Sequence, residues 1–180
     1  QLVDRYLSQS NVETSINRIT EESGRRELSL FDNGTKTTMS LRDIGIGISQ
    51  ILPVLVHANG EQGKLIAIEQ PEIHIHPALQ SEIADVFIES ALGEQGNKFL
   101  VETHSEHLIL RIMKRIRQTT RNQLPEGATP VRPEDVQVIY VETDPKSKQA
   151  HARILRIDGQ GRFVDNWPNG FFEERLKELF

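Results

Sequence analysis

The sequence contains no cysteine, so it forms no disulfide framework and offers no thiolate ligand to a metal ion. This absence fits a reducing compartment, and we expect the protein in the cytoplasm. No apolar run approaches the ~20 residues that a membrane-spanning helix needs, and the N-terminus shows no signal-peptide pattern. We therefore expect no membrane as a partner.

An excess of basic residues is also lacking, because 21 Lys and Arg stand against 26 Asp and Glu, a net charge of −5. Such a chain has no general electrostatic attraction to nucleic acid. A local basic face is still present in one predicted helix, at Arg111, Lys114, Arg115 and Arg117. We interpret it as a solvated face, with contact to nucleic acid or to a partner as the alternative.

The middle of the chain alternates short apolar runs with helical patterns. Residues 65–68 and 99–101 are continuous apolar runs, which is typical of buried parallel strands. Pro77 fits the first position of a helix between them, and a second amphipathic helix follows Ser105. The order strand, helix, strand, helix predicts an α/β fold with parallel strands and right-handed crossovers.

The flanking segments are predicted to form smaller elements. Residues 1–24 are polar, with a weak helical pattern at residues 2–7, and residues 27–40 alternate as in a β-hairpin. A second hairpin is predicted over residues 136–157, and a short amphipathic helix over residues 171–180. A glycine-containing loop over residues 43–50 is predicted to lead into a helix, with Pro53 near its first turn.

Polar residues follow both of the predicted buried strands. Glu69, Gln70 and Glu72 come after the first, and Thr103 and His104 come after the second. The carboxyl ends of neighbouring parallel strands lie at one edge of a sheet, where open α/β folds bind their ligands. The sequence therefore predicts one site that contains carboxylates and a histidine.

Three segments, in this order, resemble motifs of ABC-type ATPases, in the SMC- and OLD-related, AAA-like bacterial branch. Residues 43–50 (DIGIGISQ) resemble the signature motif, residues 69–77 (EQPEIHIHP) the Walker B segment with the loop after it, and residues 102–107 (ETHSEH) the switch-histidine loop. Residues 167–172 (WPNGFF) resemble the end of an uncharacterised C-terminal domain on some of these ATPases. The likeness covers about residues 25–180.

The resemblance implies a role for each motif residue. Glu69 would hold the Mg²⁺ of bound ATP, Gln70 would orient the attacking water, and His104 would contact the γ-phosphate. The family usually has Asp and Glu where this chain has Glu69 and Gln70, and Gln70 cannot accept a proton. Glu72 is the alternative base. We expect Glu-Gln-Pro-Glu to be the normal form of this branch, and an engineered Glu→Gln trap is the alternative explanation of Gln70. Four residues would cap the nucleotide of a partner subunit: Gly45, Gly47, Ser49 and Gln50.

The resemblance also implies an architecture and partners. We expect residues 1–40 to end an upstream lobe, residues 41–120 to form the core of an ABC-type P-loop NTPase head, and residues 121–180 to form a small α+β appendage. The implied assembly is a homodimer through these heads, in bacterial defence or DNA maintenance, with a nuclease or other effector as a further partner. The residues themselves indicate no such role.

The phosphate-gripping Walker A loop has no match in these 180 residues. Residues 60–64 (GEQGK) have the wrong spacing, lack Ser or Thr after the lysine, and precede a predicted strand. We expect the loop in sequence upstream of Gln1.

Two other functional classes remain open. The first is a nucleotide-dependent dimerisation module with little or no hydrolysis, which Gln70 favours. The second is a metal-dependent hydrolase that uses His74 and His76 together with nearby acids and histidines. Pro77, at the start of a helix directly after His76, makes convergence of these ligands harder.

Overall fold

A computed structural model of the chain describes residues 12–15, 29–32, 35–40, 43, 45–144 and 146–166. The chain divides into two compact units, Gln1–Ser105 and Glu106–Phe180, which we describe separately. The predicted helix over residues 171–180 and the motif over residues 167–172 lie outside the described residues. The boundaries at residues 40 and 120 stay predictions.

The first unit begins with a small antiparallel sheet. Strands β1 (Val12–Ser15), β2 (Ser29–Asp32) and β3 (Thr37–Ser40) lie in that order, so the predicted hairpin of β2 and β3 is confirmed. The weak helical pattern predicted at residues 2–7 lies outside the described residues. The sequence analysis did not predict β1, which pairs with β2 along its whole length. Its β-branched Val12 and Thr14 favour a strand once a partner edge is available.

The core of the first unit is a strand–helix–strand arrangement. Strands β4 (Leu65–Glu69) and β5 (Lys98–Glu102) pair in parallel, joined through helix α2 (Pro77–Leu92). Helix α2 packs on β5, where the rings of Phe87 and Phe99 lie 4.8 Å apart. The α/β class and parallel pairing predicted from the sequence are therefore confirmed.

Helix α1 (Ile46–Gly60) precedes β4 and begins earlier than predicted. The loop interpretation of residues 43–50 is wrong from Ile46 onward, and Pro53 lies inside the helix instead of in its first turn. The buried side chains of α1 are Ile51, Leu55 and Ala58. This apolar face supports the helix although Gly47 and Pro53 both have low helix propensity.

A buried polar cluster closes the end of this unit opposite the carboxyl ends of the strands. Asn97 is 1% exposed, and its Nδ2 donates to the Glu61 carbonyl and to Ser90 Oγ at 2.9 and 3.1 Å. Its Oδ1 accepts from the N–H of Lys64 at 2.9 Å. Asn97 thus ties the segments before β4 and β5 to the ends of both helices.

The second unit contains helix α3 (Glu106–Thr120), a 3₁₀ turn (Pro133–Asp135) and the antiparallel hairpin β6 (Val138–Thr143) and β7 (Ala150–Leu155). The predicted second hairpin is confirmed. Gly161, at a φ of 62°, lies against the backbone of Met113, where no side chain has room. In the described part of the chain, no helix is both long and apolar enough to span a membrane.

Candidate functional site

The carboxyl ends of β4 and β5 lie side by side, as the sequence predicted. The register places Glu69 opposite Glu102, and the N–H of Gln70 donates to the Glu102 carbonyl at 2.7 Å. The segments that carry Gln70, Glu72 and His104 therefore leave the sheet at the same edge. Because a sheet edge of this kind is where α/β folds bind ligands, these residues form the candidate site.

Glu102 is a site residue that the sequence analysis missed. It and Glu69 are directly opposite on one face of the strand pair, and both are exposed. Like charges in opposite positions on neighbouring strands destabilise a sheet, unless a cation lies between them. The sequence contains a signal that could have identified Glu102, because this residue follows the second apolar run just as Glu69 follows the first.

The loop after β4 has an unusual backbone. Gln70 and His74 adopt left-handed conformations with φ of 46° and 61°. Each left-handed non-glycine residue costs about 1–2 kcal/mol. Two turns stabilise the loop, in which the N–H groups of Ile73 and Ile75 donate to the carbonyls of Gln70 and Glu72. Gln70 is half-buried, and these hydrogen bonds hold the backbone that carries it.

Glu72 connects the two loops at the end of the sheet. Its Oε1 accepts a 2.7 Å hydrogen bond from the backbone N–H of His104, and the residue is only 8% exposed. Its Oε2 is also buried and has no partner among the described residues. One carboxylate oxygen thus holds the loop after β5, and the other remains able to accept a hydrogen bond.

Two histidines of the candidate site, His104 and His76, differ in their contacts. The side chain of His104 is exposed. His76 caps helix α2 by accepting from the N–H of Ala78 at 3.3 Å, so its role is structural. Within the part of the chain that the structure describes, no three His, Asp or Glu side chains form a group suited to a metal ion. The geometry therefore gives no support to the metal-dependent hydrolase.

The residues at the N-terminus of α1 belong to the glycine segment (residues 43–50), and they lie in different surroundings. Gly45 is exposed at the N-cap, with nothing within 4 Å of a Cβ built on it and no side-chain cap. A Cβ on Gly47 would lie 2.5 Å from the carbonyl oxygen of His74. Gln50 is exposed, whereas Ser49 is half-buried. Gly45 is thus open to another molecule, and Gly47 lies against the loop after β4.

The second unit offers a cavity and a basic helix, but neither contains a predicted site residue. An open cavity of about 580 Å³ is lined by residues between Thr119 and Glu134. On α3, Lys114 is exposed and Arg111, Arg115 and Arg117 are half-buried. Arg115 donates to Gln118 at 3.0 Å.

Comparison with known proteins identifies the chain. Residues 3–109 match the family of AAA ATPase domains, and residues 131–180 match a protein family of unknown function, DUF3696. No curated protein matches the chain. The fold is similar to that of a chain from a structural study of ATP-driven dimerisation and DNA-stimulated activation of SMC ATPases. That likeness has a TM-score of 0.61 at 12% identity and covers 99% of this chain and 86% of that chain.

The resemblance found in the sequence is confirmed by these matches. At 12% identity the likeness to the SMC ATPase structure shows the fold alone. The AAA ATPase match covers more than half of the chain and includes the glycine segment, both strand ends and His104. Nucleotide binding is the function that this family and fold support. The chain belongs to the AAA ATPase domain family.

Proposed function

We propose that this protein binds ATP with Mg²⁺ and hydrolyses it in a head that closes against a second copy of itself. The observation that carries the proposal is the shared sheet edge, where Glu69 and Glu102 lie opposite one another and Glu72 holds the His104 loop. An exposed acidic pair, a fixed glutamine and an exposed histidine are groups suited to phosphoryl transfer.

The residues at the edge fit a magnesium nucleotide. Mg²⁺ in nucleotide sites is bound through one or two carboxylates and the substrate phosphates, and Glu69 with Glu102 offers such a pair. When bound, Mg²⁺ would neutralise charge that develops on the transferred phosphate. A bound Mg²⁺ would also offset the repulsion between two exposed glutamates at paired positions of adjacent strands.

Gln70 and His104 would position the reacting groups. Gln70 can orient a water by hydrogen bonding without accepting its proton. The exposed imidazole of His104 can donate a hydrogen bond to a phosphate oxygen. Neither residue needs a buried position for this work, because the substrate itself excludes water from them.

The phosphate-binding loop is proposed to lie outside these 180 residues, because they contain no Gly-x-x-x-x-Gly-Lys-Ser/Thr segment. Backbone donors and the lysine of such a loop hold the β- and γ-phosphates. Calorimetry on the 180-residue chain should therefore show no ATP binding at ordinary nucleotide concentrations. A micromolar dissociation constant would contradict this part of the proposal.

The N-terminus of α1 is proposed to act across the dimer, on the nucleotide of the partner. Gly45 is exposed there, and a helix N-terminus presents N–H groups and positive partial charge to an anion. Two identical heads related by a two-fold axis would form two composite sites. A bulky side chain at Gly45 should then block only the site of the partner subunit.

Mixed dimers of the full-length protein test this arrangement. One subunit carries Gly45→Trp, and the other carries a substitution of its phosphate-gripping lysine. Acting in trans, both defects fall on one composite site, so mixing two inactive variants should restore up to about half of the wild-type activity per mixed dimer. Gly45 is better suited than Gly47, whose substitution would displace the carbonyl of His74 within its own chain.

The matched control is Gly60→Trp, at the other end of α1, where a Cβ also meets nothing within 4 Å. It should leave activity unchanged. Nucleotide occupancy is measured alongside, because strong coupling between sites would hide recovery. The lysine substitution empties one site in either arrangement, so the site with the intact lysine decides. If no activity returns although that site fills with nucleotide as in the wild-type protein, the glycine segment does not act in trans.

A second candidate function is a dimerisation switch that binds nucleotide and hydrolyses it little or not at all. Gln70, which occupies the position of the usual base, favours it. Single-turnover hydrolysis in the full-length protein separates the two candidates. Cytoplasmic location, defence or DNA maintenance, and a nuclease, other effector or nucleic acid as partner rest on the resemblance and stay predictions.

A further inference from the structure

Gln80, near the start of α2, connects the two loops of the site. Its Nε2 donates to the carbonyls of Glu72 and Ile75 at 3.4 and 3.0 Å, and its Oε1 accepts from Ser105 Oγ at 2.7 Å. The two carbonyl partners require the amide nitrogen on their side, which fixes the orientation of the side-chain amide. A half-buried glutamine thus links the loop after β4 to the loop after β5.

Glu72 makes a second connection between the same loops. Its Oε1 holds the N–H of His104, while Gln80 holds the hydroxyl group of Ser105, the next residue along the chain. The backbone around His104 is therefore fixed from both sides, whereas the imidazole itself stays exposed. This arrangement holds the backbone that carries the ring and leaves the ring itself exposed.

We propose that Glu72 and Gln80 are positioning residues that form a clamp on the His104 loop and hold it beside Glu69 and Gln70. The role rests on the proposed function, in which His104 contacts the γ-phosphate. It differs from a base role for Glu72, because the clamp needs only a hydrogen-bond acceptor at that position. The clamp also assigns a positioning role to Gln80, which lies outside the three motifs.

The clamp and the base role predict different results for Glu72→Gln in the full-length protein. The amide oxygen of glutamine still accepts from the N–H of His104 but cannot take a proton from water. For a positioning residue, Glu72→Gln keeps kcat within about tenfold of wild type, and Glu72→Ala lowers it about 100-fold, as expected for a misplaced catalytic group. Equal losses in the two variants would overturn the clamp.

Gln80→Met tests the second half of the clamp, because methionine keeps the length of the side chain and removes its hydrogen bonds. Expected is a fall in kcat of about 10–100-fold with KM for ATP within about threefold. In a His104→Ala background, Gln80→Met should cause no further loss, since it acts through His104. Additive losses would show a general structural role. The matched control is Gln62→Met, in the exposed loop before β4, which should leave kcat unchanged.

Amide hydrogen exchange tests the clamp without relying on ATP turnover. In the wild-type protein the His104 N–H should exchange slowly, and Glu72→Ala should speed its exchange more than Glu72→Gln does. Fast exchange at His104 in the wild-type protein would overturn the clamp. If the wild-type protein shows no hydrolysis but His104 is protected in this way, the proposed function fails and the clamp stands.

Discussion

Gly47 of helix α1 lies directly against His74 of the loop after β4, with 2.5 Å between a Cβ built on Gly47 and the His74 carbonyl oxygen. The loop that would serve the chain's own nucleotide therefore contacts the helix that would serve the nucleotide of its partner. The two backbones already touch at Gly47, so a shift of either element toward the other is resisted by this contact. In the proposed dimer, this contact would link the two composite sites.

Gly47→Ala should destabilise the protein, although alanine is the better helix former by about 1 kcal/mol. The added methyl group would have to displace the His74 backbone, and overpacking of this kind costs about 1–3 kcal/mol. Urea denaturation measures the change in the free energy of unfolding. The control is Gly60→Ala, in open space at the end of the same helix, which should be neutral or slightly stabilising. An equal increase in the free energy of unfolding in both variants would show that Gly47 is not tightly packed against His74.

Gln70→Glu should retain activity in the full-length protein and can exceed the wild-type rate. A glutamate at this position could accept a proton as well as orient water, and the left-handed backbone at Gln70 is equally accessible to both side chains. Steady-state ATP hydrolysis measures the change. A thousandfold fall with folding intact, about 4 kcal/mol on the barrier, would show that the amide itself is required.

His104→Ala should lower ATP hydrolysis more than it lowers ATP binding. A contact to the γ-phosphate gains strength as charge shifts in the transition state, so its loss appears mainly in kcat. Comparing turnover with the dissociation constant for ATP separates the two effects. His107→Ala, at the second position of α3, is the control and should change little. Equal losses in hydrolysis and binding would assign His104 a structural role.

Asn97→Ala should lower the free energy of unfolding by about 2–4 kcal/mol, because it removes a buried side chain and leaves part-buried backbone groups without this partner. These groups include the N–H of Lys64 and the carbonyl of Glu61. Gln62→Ala, in the same region but exposed, should change it by less than about 0.5 kcal/mol. Chemical denaturation compares the two, and similar small values would mean that water replaces the Asn97 side chain.

Asp165 should titrate well below an ordinary aspartate. Hydrogen bonds from the side chain of Arg156, followed by one from its backbone N–H, lower the pKa of Asp165 from 3.8 to about 2. Because the folded pKa lies below the unfolded one, the stabilisation is present above the unfolded pKa and disappears as the pH falls toward 2. Carbon-13 NMR of the carboxyl group measures the midpoint, which Arg156→Gln should raise. A midpoint near 3.8 in the wild-type protein would contradict the pairing.

The sequence predicted the elements whose patterns depend only on neighbouring residues. The apolar runs marked β4 and β5, and Pro77 marked the first residue of α2. The start of α1 was missed because Gly47 suggests a turn when only the chain is known. A glycine is needed at position 47 because the backbone of His74, which is distant in sequence, leaves no room for a side chain there.

The sequence predicted which residues lie at the two strand ends, and it did not predict the contacts between them. Glu69, Gln70, Glu72 and His104 stand at strand ends that hydrophobic patterns reveal. The pairing of Glu69 with Glu102 needs the register of two strands, which no local pattern specifies. The role of Gln80 depends on three partners from two loops, and such contacts exist only after the chain has folded.

The parallel pairing of β4 with β5 also affects how the chain emerges from the ribosome. Lys64 and Asn97, which hydrogen-bond at the start of the two strands, are 33 residues apart. At translation rates of about 5–20 residues per second, β4 therefore stays without its partner strand for about 2–7 s. During that time the backbone groups of β4 that pair with β5 lack their partner strand, whereas the local hairpin of β6 and β7 can pair almost as soon as it is made.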